Sequence, residues 1–249
     1  MKKISIVIPC YNEEKGISQV IQTIPKTKLR KLGYNTEILV IDNNSKDKTA
    51  QMAKQAGADK ILFEKKQGKG YALINGFRNL SDSTDFVVML DGDNTYKAKE
   101  MLRLIEPLEN DFCDVIIGTR LAGKIQKGSM TTFNRIGNWF FTFLVRTVYC
   151  ENVTDVCTGY FAWKREVIEE LRKHVQSNGF SIEMEMIAKM SKLNYSIYSV
   201  PITYEDRAGS TNLKPVQDGI RILRAWGRNL FWKPNYCRGK KKEACPAMA

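Results

Sequence analysis

The 249-residue sequence has a single histidine and six scattered cysteines, none of them in a C-x-x-C pair. Zinc sites are built from closely spaced cysteine and histidine ligands, so the sequence excludes a zinc-finger protein. No uninterrupted apolar run reaches the length of about 18 residues that a membrane-spanning helix needs. Met1-Lys2-Lys3 leads into a strand-like run and not into the apolar core of a signal peptide, so we expect a cytoplasmic location.

Two common nucleotide-binding signatures are also missing. No G-x-x-x-x-G-K-[ST] sequence occurs, and no G-x-G-x-x-G follows the first predicted strand, which argues against P-loop and dinucleotide-binding enzymes. Gln67-Gly68-Lys69-Gly70 has the glycines and the lysine of a phosphate-binding loop without the Walker spacing.

Acidic residues are few relative to basic ones. Lysine and arginine outnumber aspartate and glutamate by 39 to 27, which gives a formal net charge of +12. Such a charge favours an anionic partner, although solubility alone explains it equally well. Part of the excess lies at residues 238–242, a solvated run or an anchor for anionic lipid. A non-catalytic basic module that binds nucleic acid or membrane is therefore a competing hypothesis, but RRM, KH and helix-turn-helix signatures are absent and we expect no nucleic-acid partner.

What the sequence does contain is an alternation of apolar strand patterns and helical periodicity. Strands are predicted at 4–9, 37–42, 60–63 and 85–90, and helices at 17–24, 47–56 and 70–80. This order predicts an α/β fold with a mostly parallel, Rossmann-like sheet flanked by helices. Ligands bind beyond the carboxyl ends of such strands, where Asn12, Asp42 and Asp91 lie.

The second half of the chain is less regular. A loop is predicted at 123–132, an aromatic-rich helix at 134–149, strands at 161–163 and 195–202, and helices at 166–174 and 182–192. An amphipathic basic helix is predicted at 215–234, which either lies on a membrane surface or docks on the core.

Asp91-Gly92-Asp93 follows an apolar strand and is a candidate metal site. Two carboxylates two positions apart at a turn can converge on one hard divalent cation that also binds diphosphate oxygens. An acidic turn, with aspartate and glycine present for backbone conformation, explains the same residues. The motif alone does not separate these alternatives.

Two further segments, 9–14 and 42–49, combine helix-capping residues with carboxylates at strand ends. At such an end Asp42 can accept hydrogen bonds from a nucleobase or a ribose. Capping explains Ser45 and Asp47, and the helix dipole explains Glu13 and Glu14, so both interpretations stay open.

Six motifs occur in order along the chain, and together they are more specific than any one of them. They are Val7-Ile8-Pro9-Cys10-Tyr11-Asn12-Glu13, Ile41-Asp42-Asn43-Asn44-Ser45-Lys46-Asp47-Lys48-Thr49, Gly68-Lys69-Gly70, Asp91-Gly92-Asp93, Gly118-Thr119-Arg120 and Asp155-Val156-Cys157-Thr158-Gly159-Tyr160. On these motifs the chain resembles the family 2 inverting glycosyltransferases with the GT-A fold, in the dolichol-phosphate mannose synthase-like branch. The resemblance extends from residue 4 to about residue 213.

The resemblance implies a GT-A domain at 1–213, followed by an amphipathic helix and basic tail at 214–249. It implies a GDP- or UDP-linked sugar donor whose diphosphate is held by Mg²⁺ or Mn²⁺ on Asp91 and Asp93. The implied donor-binding residues are Pro9, Tyr11, Glu13, Asp42, Asn44, Lys69, Asp91 and Arg207. The implied catalytic residues are Asp93, Arg120, Asp155 and Glu185, and the implied acceptor-phosphate residues are Arg135 and Ser210.

The implied reaction is attack by a polyprenyl (dolichyl) phosphate oxygen on the anomeric carbon, at the cytoplasmic face of a membrane. A phosphate is already ionised near neutral pH and needs positioning more than deprotonation. A saccharide hydroxyl acceptor, the alternative, requires a carboxylate base, for which Glu185 and Asp155 are the candidates. A nucleotidyltransferase shares an acidic metal site, but its glycine-rich basic signature near the N-terminus is missing.

Five positions depart from the mannose synthase pattern, the first being Gly92 in place of the alanine of D-A-D. Thr95 stands where a metal-approaching glutamine is common, Thr158-Gly159-Tyr160 replaces S-G-F, and Glu183 replaces a glutamine. These departures leave the reaction class unchanged and the identity of the sugar open.

Overall fold

A computed structural model describes residues 1–234, in which seven strands form one sheet of order β3-β2-β1-β4-β6-β5-β7. The strands are β1 Lys2–Cys10, β2 Tyr34–Asp42, β3 Lys60–Phe63, β4 Phe86–Met89, β5 Val115–Ile125, β6 Phe161–Lys164 and β7 Ile197–Tyr204. The α-helices are α1 Ile17–Thr23, α2 Lys26–Lys31, α3 Thr49–Gln55, α4 Lys69–Arg78, α5 Met101–Glu109, α6 Thr132–Tyr149, α7 Arg165–His174, α8 Ile182–Lys192 and α9 Pro215–Phe231.

The strand directions confirm the prediction of a mostly parallel α/β sheet. Strands β3, β2, β1 and β4 are mutually parallel, and β7 is parallel to β5. Strand β6 is antiparallel to both β4 and β5. Cys10 at the end of β1 lies opposite Asp42 at the end of β2, so the loops after these strands meet at one edge of the sheet.

Strand residues alternate between two apolar cores, one on each face of the sheet. Ile4, Ile6 and Ile8 of β1 pack on one face, against α1, α2, α3 and α5. Val7 packs on the other face, against α4, α6, α7, α8 and α9. The near-continuous apolar runs of the strands follow from this burial on both sides.

Two helices have no counterpart in the sequence-based predictions, namely α2 and α5. Helix α5 buries residues at helical spacing, but it contains Pro107, which interrupts the helical hydrogen bonding. The predicted loop at 123–132 is wrong in its first three residues. There β5 continues to Ile125 and pairs again with β7 after a register shift.

Helix α9 confirms the predicted amphipathic helix and docks on the core. Its Ile222 and Ala225 are buried, and Lys192 of α8 donates hydrogen bonds to the carbonyls of Leu230 at 2.6 Å and Trp232 at 2.7 Å. The basic tail at 238–242 lies outside the described residues, and the predicted boundary at 213 stays a prediction. No helix within residues 1–234 has the length and apolarity to cross a membrane.

Candidate functional site

Two cavities open at the sheet edge where β1, β2 and β4 end. The first has a volume of about 630 Å³ and the second about 190 Å³. Lys69, Asp91 and Arg207 line both of them. Any molecule in one cavity is therefore adjacent to a molecule in the other.

The loops after β1 and β2 form the floor of the first cavity and hold each other in place. Asn12 accepts a hydrogen bond from the backbone N–H of Lys46 at 2.8 Å, and its own N–H donates to the Ser45 hydroxyl at 3.0 Å. The Thr49 hydroxyl accepts the N–H of Glu13 at 2.8 Å. The polar residues of the two motifs therefore hydrogen-bond to each other, and of those named here Glu13 lines the cavity.

Asp91 is held by a lysine from the start of α4. Lys69 Nζ lies 2.7 Å from Asp91 Oδ1 and 2.7 Å from Glu183 Oε1. Burial lowers the pKa of Lys69, but the two carboxylates outweigh it and hold that pKa above its ordinary value. Lys69 therefore remains a cation at the junction of the two cavities.

Asp93 is held by an arginine from the segment after β7. Arg207 forms ion pairs with Asp93 and, at 3.4 Å, with Glu13. The N–H and hydroxyl of Thr95 donate to Asp93 Oδ1 at 3.0 and 2.6 Å, so Thr95 fixes the carboxylate. Burial and the neighbouring Asp91 raise the pKa of Asp93. Burial also raises the pKa of Glu13 to about 8, although Arg207 opposes the shift.

The Asp91 carboxylate occupies space that only a glycine leaves free. A Cβ atom on Gly159 would lie 2.0 Å from Asp91 Oδ2. The Gly159 N–H donates to the Tyr96 hydroxyl at 2.7 Å, which fixes this backbone. Gly159 thus allows the close approach that sets the position of Asp91.

The residues at this edge fit a divalent cation shared with a phosphate ligand. Within residues 1–234 no cluster of three or more acidic, histidine or cysteine side chains has a metal-binding arrangement. Mg²⁺ characteristically takes one or two carboxylates and completes its shell with phosphate oxygens and water. Asp91, which lines both cavities, and Asp93, which lines the second, supply such a pair.

The second cavity is built around an arginine on β5. Arg120 Nε and Nη2 donate to the two carboxylate oxygens of Asp155, each at 2.8 Å, and Asn138 of α6 donates to the same carboxylate at 2.6 Å. Asp155 is completely buried, whereas Arg120 and Asn138 line the cavity. Asp155 therefore orients Arg120.

The structure brings most of the predicted site residues together. Those that line one or both cavities are Pro9, Tyr11, Glu13, Lys69, Asp91, Asp93, Arg120 and Arg207. Those outside both linings are Asp42, Asn44, Arg135, Asp155, Glu185 and Ser210.

The residues outside the linings have other partners or are exposed. Asp42 accepts the N–H of Ser45 at 3.1 Å, as a cap would. Glu185 is buried in an ion pair with Lys189 at 2.7 Å. Arg135 and Ser210 are exposed on the surface. The geometry does not favour Asp155 or Glu185 as a general base, and the roles of all six residues stay predictions.

Several lining residues are missing from the sequence-based predictions. Asn43, next to Asp42, lines the first cavity and accepts the N–H of Gly68 at 2.7 Å. Phe180 and Glu183 come from the loop before α8 and its first turn. In the sequence, Glu183 is notable only because it replaces a glutamine of the mannose synthase pattern. Phe180 has no local signal, because it reaches the cavities only through tertiary packing.

Comparison with known proteins identifies relatives over most of the chain. The family model Glycosyl transferase family 2 matches residues 5–172. Glycosyltransferase AglJ of Haloferax volcanii is 34% identical over 87% of this chain and 68% of its own length. Dolichyl-phosphate hexose transferase of the same organism is 31% identical over 88% of this chain and 90% of its own length.

Solved structures share the fold. Glucosyl-3-phosphoglycerate synthase from Mycobacterium tuberculosis, crystallised with Mn²⁺, UDP and phosphoglyceric acid, superposes with a TM-score of 0.71. The match covers 94% of this chain and 80% of that one, at 21% identity. The architecture predicted from the sequence, a GT-A fold, is thereby confirmed.

Proposed function

The chain belongs to glycosyl transferase family 2, and from this premise we propose that it transfers a sugar, with inversion, from a nucleotide sugar to a polyprenyl phosphate. The product would be a lipid-linked monosaccharide for glycan assembly. We assign the nucleotide sugar, UDP- or GDP-linked, to the first cavity and the acceptor phosphate to the second. Lys69, Asp91 and Arg207, which line both cavities, mark where the anomeric carbon and the phosphate would meet.

A divalent cation, Mg²⁺ or Mn²⁺, would bind Asp91 and Asp93. When bound, it stabilises the charge of the departing nucleoside diphosphate. The Mn²⁺ and UDP in the mycobacterial glucosyl-3-phosphoglycerate synthase support this assignment. The chain itself contributes Lys69 and Arg207, two cations that can orient the diphosphate through ion pairs.

The proposal of a lipid-phosphate acceptor rests mainly on the exposed face of helix α6. Its outer face exposes five large apolar side chains, which are Phe133, Ile136, Trp139, Phe140 and Phe143. The helix has two arginines and no acidic residue, which suits an anionic membrane surface. Asn134 and Phe141 of the same helix line the second cavity. A phosphate in the cavity can therefore remain attached to a chain in the bilayer beside it.

The acceptor assignment is also supported by a relative and by the buried carboxylates. The Haloferax volcanii relative that matches this chain over 90% of its own length is named dolichyl-phosphate hexose transferase. A phosphate acceptor needs no general base, in agreement with the ion pairs that occupy Asp155 and Glu185. We accordingly propose a peripheral membrane location, with α6 and the exposed face of α9 at the cytoplasmic surface.

Transfer to a saccharide hydroxyl is the second candidate, and one observation favours it. Glu183 lines the second cavity, and burial raises its pKa, although Lys69 opposes the shift. A carboxylate in that position could accept a hydroxyl proton.

The decisive experiment incubates the protein with radiolabelled UDP- and GDP-sugars and either dolichyl phosphate or free saccharides. We expect label in the organic phase with dolichyl phosphate, and product mass spectrometry would identify the sugar. Label found only on an aqueous saccharide would overturn the lipid-phosphate acceptor in favour of the second candidate.

The metal assignment has its own test. Asp93→Asn should reduce transfer by about 100-fold or more, because it removes a charged ligand from the site. It should also abolish the rise in thermal stability that Mn²⁺ produces in the unmodified protein. Asp82→Asn, at an exposed position away from the cavities, is the matched control. Full activity in EDTA would contradict the metal role.

A further inference from the structure

The loop at residues 176–180 forms one wall of the first cavity and touches the start of α4. Asn178 and Phe180 line the cavity. The N–H of Gly70 donates to the carbonyl of Asn178 at 3.0 Å. A Cβ atom on Gly68 would lie 1.9 Å from that same carbonyl oxygen. The loop therefore packs directly on the backbone that carries Lys69.

The buried side chain of Glu185 binds the backbone of the 176–180 loop. This side chain is fully buried and accepts the N–H groups of Gln176 at 3.1 Å and Ser177 at 2.5 Å. Lys189 Nζ lies 2.7 Å from Glu185 Oε1 and also donates to the carbonyl of His174, at the end of α7. One buried ion pair thus fixes both the end of α7 and the loop that follows it.

Helix α9 reaches the same group through an arginine. Arg228 Nη2 lies 3.1 Å from the Ser177 hydroxyl and 3.4 Å from Glu185 Oε1. The Arg228 side chain is 52% exposed, so it joins the surface helix to a buried carboxylate.

We propose that Glu185 is a positioning residue which, with Arg228, fixes the 176–180 loop and so couples α9 to the nucleotide-sugar cavity. The inference rests on the proposed function of that cavity. It replaces the expectation that Glu185 acts as a general base, since Glu185 acts through Gln176 and Ser177 and lies outside both cavity linings. The loop then sets the cavity wall directly, and it sets Lys69 through Gly70.

Two variants separate this role from a loss of folding. Glu185→Gln keeps the shape and an acceptor oxygen but removes the charge. Arg228→Gln changes a half-exposed side chain and should leave the fold intact. Arg224→Gln is the matched control, since Arg224 is exposed on the same helix and makes no hydrogen bond or ion pair with any residue of the 1–234 segment. All three variants remove one charge.

Amide hydrogen exchange in the full-length protein tests the positioning directly. The Gly70 and Ser177 amides should exchange about threefold to tenfold faster in Glu185→Gln and Arg228→Gln, because each variant weakens the contacts that hold the loop by about the net contribution of one ordinary hydrogen bond. Arg224→Gln should exchange like the unmodified protein. Unchanged exchange at Gly70 in both test variants would overturn the proposal, whatever the activity.

Kinetics then distinguish a positioning role from a merely structural one. The KM for the nucleotide sugar should rise by about threefold to tenfold, while kcat and the acceptor KM stay within about twofold. The double variant should be no worse than Glu185→Gln alone, since the two side chains act as one unit. A fall in kcat at unchanged donor KM would restore Glu185 as a base and reject the inference. If the unmodified protein transfers no sugar, the proposed function fails, and exchange at Gly70 still decides the positioning.

Discussion

Gly159→Ala tests the geometry of the site with a single methyl group. The added Cβ atom would lie 2.0 Å from Oδ2 and 2.5 Å from Cγ of Asp91. The carboxylate must retreat by about 1.4 Å, the difference between 2.0 Å and the 3.4 Å at which ordinary contact begins. Gly159 does not have a positive φ, so the backbone itself accepts alanine without strain.

The expected effect on catalysis is large. A misplacement of about 1 Å in a positioned group costs about 100-fold in rate. Asp91 also forms the 2.7 Å ion pair with Lys69, so the displacement moves a cation as well as a carboxylate. We expect kcat/KM to fall by about 100-fold and Mn²⁺ affinity to fall with it. Overpacking at a buried position costs about 1–3 kcal/mol of folding stability, which leaves the protein folded.

The assay measures sugar transfer to dolichyl phosphate, the thermal unfolding temperature, and the shift of that temperature with Mn²⁺. Gly227→Ala on α9 is the control, because a Cβ atom there meets no atom within 4 Å and should leave transfer unchanged. If Gly159→Ala transferred sugar at the unmodified rate, with an unchanged response to Mn²⁺, the assignment of Asp91 to the donor and metal site would be wrong.

Three further predictions concern other parts of the molecule. Burial raises the pKa of Glu185, but hydrogen bonds and the charge of Lys189 outweigh burial and hold that pKa below its ordinary value. The contribution of ionised Glu185 to folding stability is therefore present above the pKa that Glu185 has in the unfolded chain, and it is lost as the pH falls through the pKa that Glu185 has in the folded protein. The difference in unfolding free energy between the unmodified protein and Glu185→Gln should therefore shrink below about pH 4, and a constant difference from pH 7 to pH 3 would contradict this. Trp139→Ser with Phe143→Ser should reduce co-sedimentation with anionic liposomes at least threefold at unchanged stability, whereas Phe112→Ser, at an equally exposed aromatic away from α6, should not; equal losses would show non-specific adsorption. Asn43→Ala should weaken nucleotide-sugar binding about tenfold, because Asn43 fixes Gly68 at 2.7 Å, and calorimetry that found unchanged affinity would remove it from the site.

Much of the fold could be predicted because its signals are local. The continuous apolar run before Asp91 and the helical spacing after Gly68 are local patterns that tertiary packing reinforces. Helix α5 has no sequence-based counterpart although its apolar residues have helical spacing, because Pro107 weakens the local preference for a helix and packing in one of the two cores overrides that weakness. The continuation of β5 to Ile125 depends on its pairing with β7, which no local pattern encodes.

The residues of the candidate site also fall into those with a local sequence signal and those placed by tertiary packing. Motif residues at strand ends, such as Tyr11 and Asp91, were placed correctly at a cavity because the carboxyl ends of parallel strands share one edge. Whether the side chain of a neighbouring residue enters the cavity or caps a loop depends on the backbone conformation at that residue, which the motif does not specify. Asp42, predicted to bind the donor, accepts the N–H of Ser45 and lies outside both linings, whereas its neighbour Asn43 lines the first cavity. The partners of Glu185, Lys189 and Arg228, could not be predicted from a motif, because only tertiary packing brings them together.

Asp91-Gly92-Asp93 has two interpretations, an acidic turn or a functional site. They differ in whether the carboxylates need basic partners from distant parts of the chain. A turn chosen for its backbone would leave its carboxylates in water. Here Asp93 is only 3% exposed, and each carboxylate has a basic partner from far along the chain, Lys69 or Arg207. Burying such pairs contributes little to stability and often costs some, because the lost hydration is only partly recovered. Charges arranged in this way beside a cavity are typical of a site that acts on a charged ligand, which the turn alone would not require.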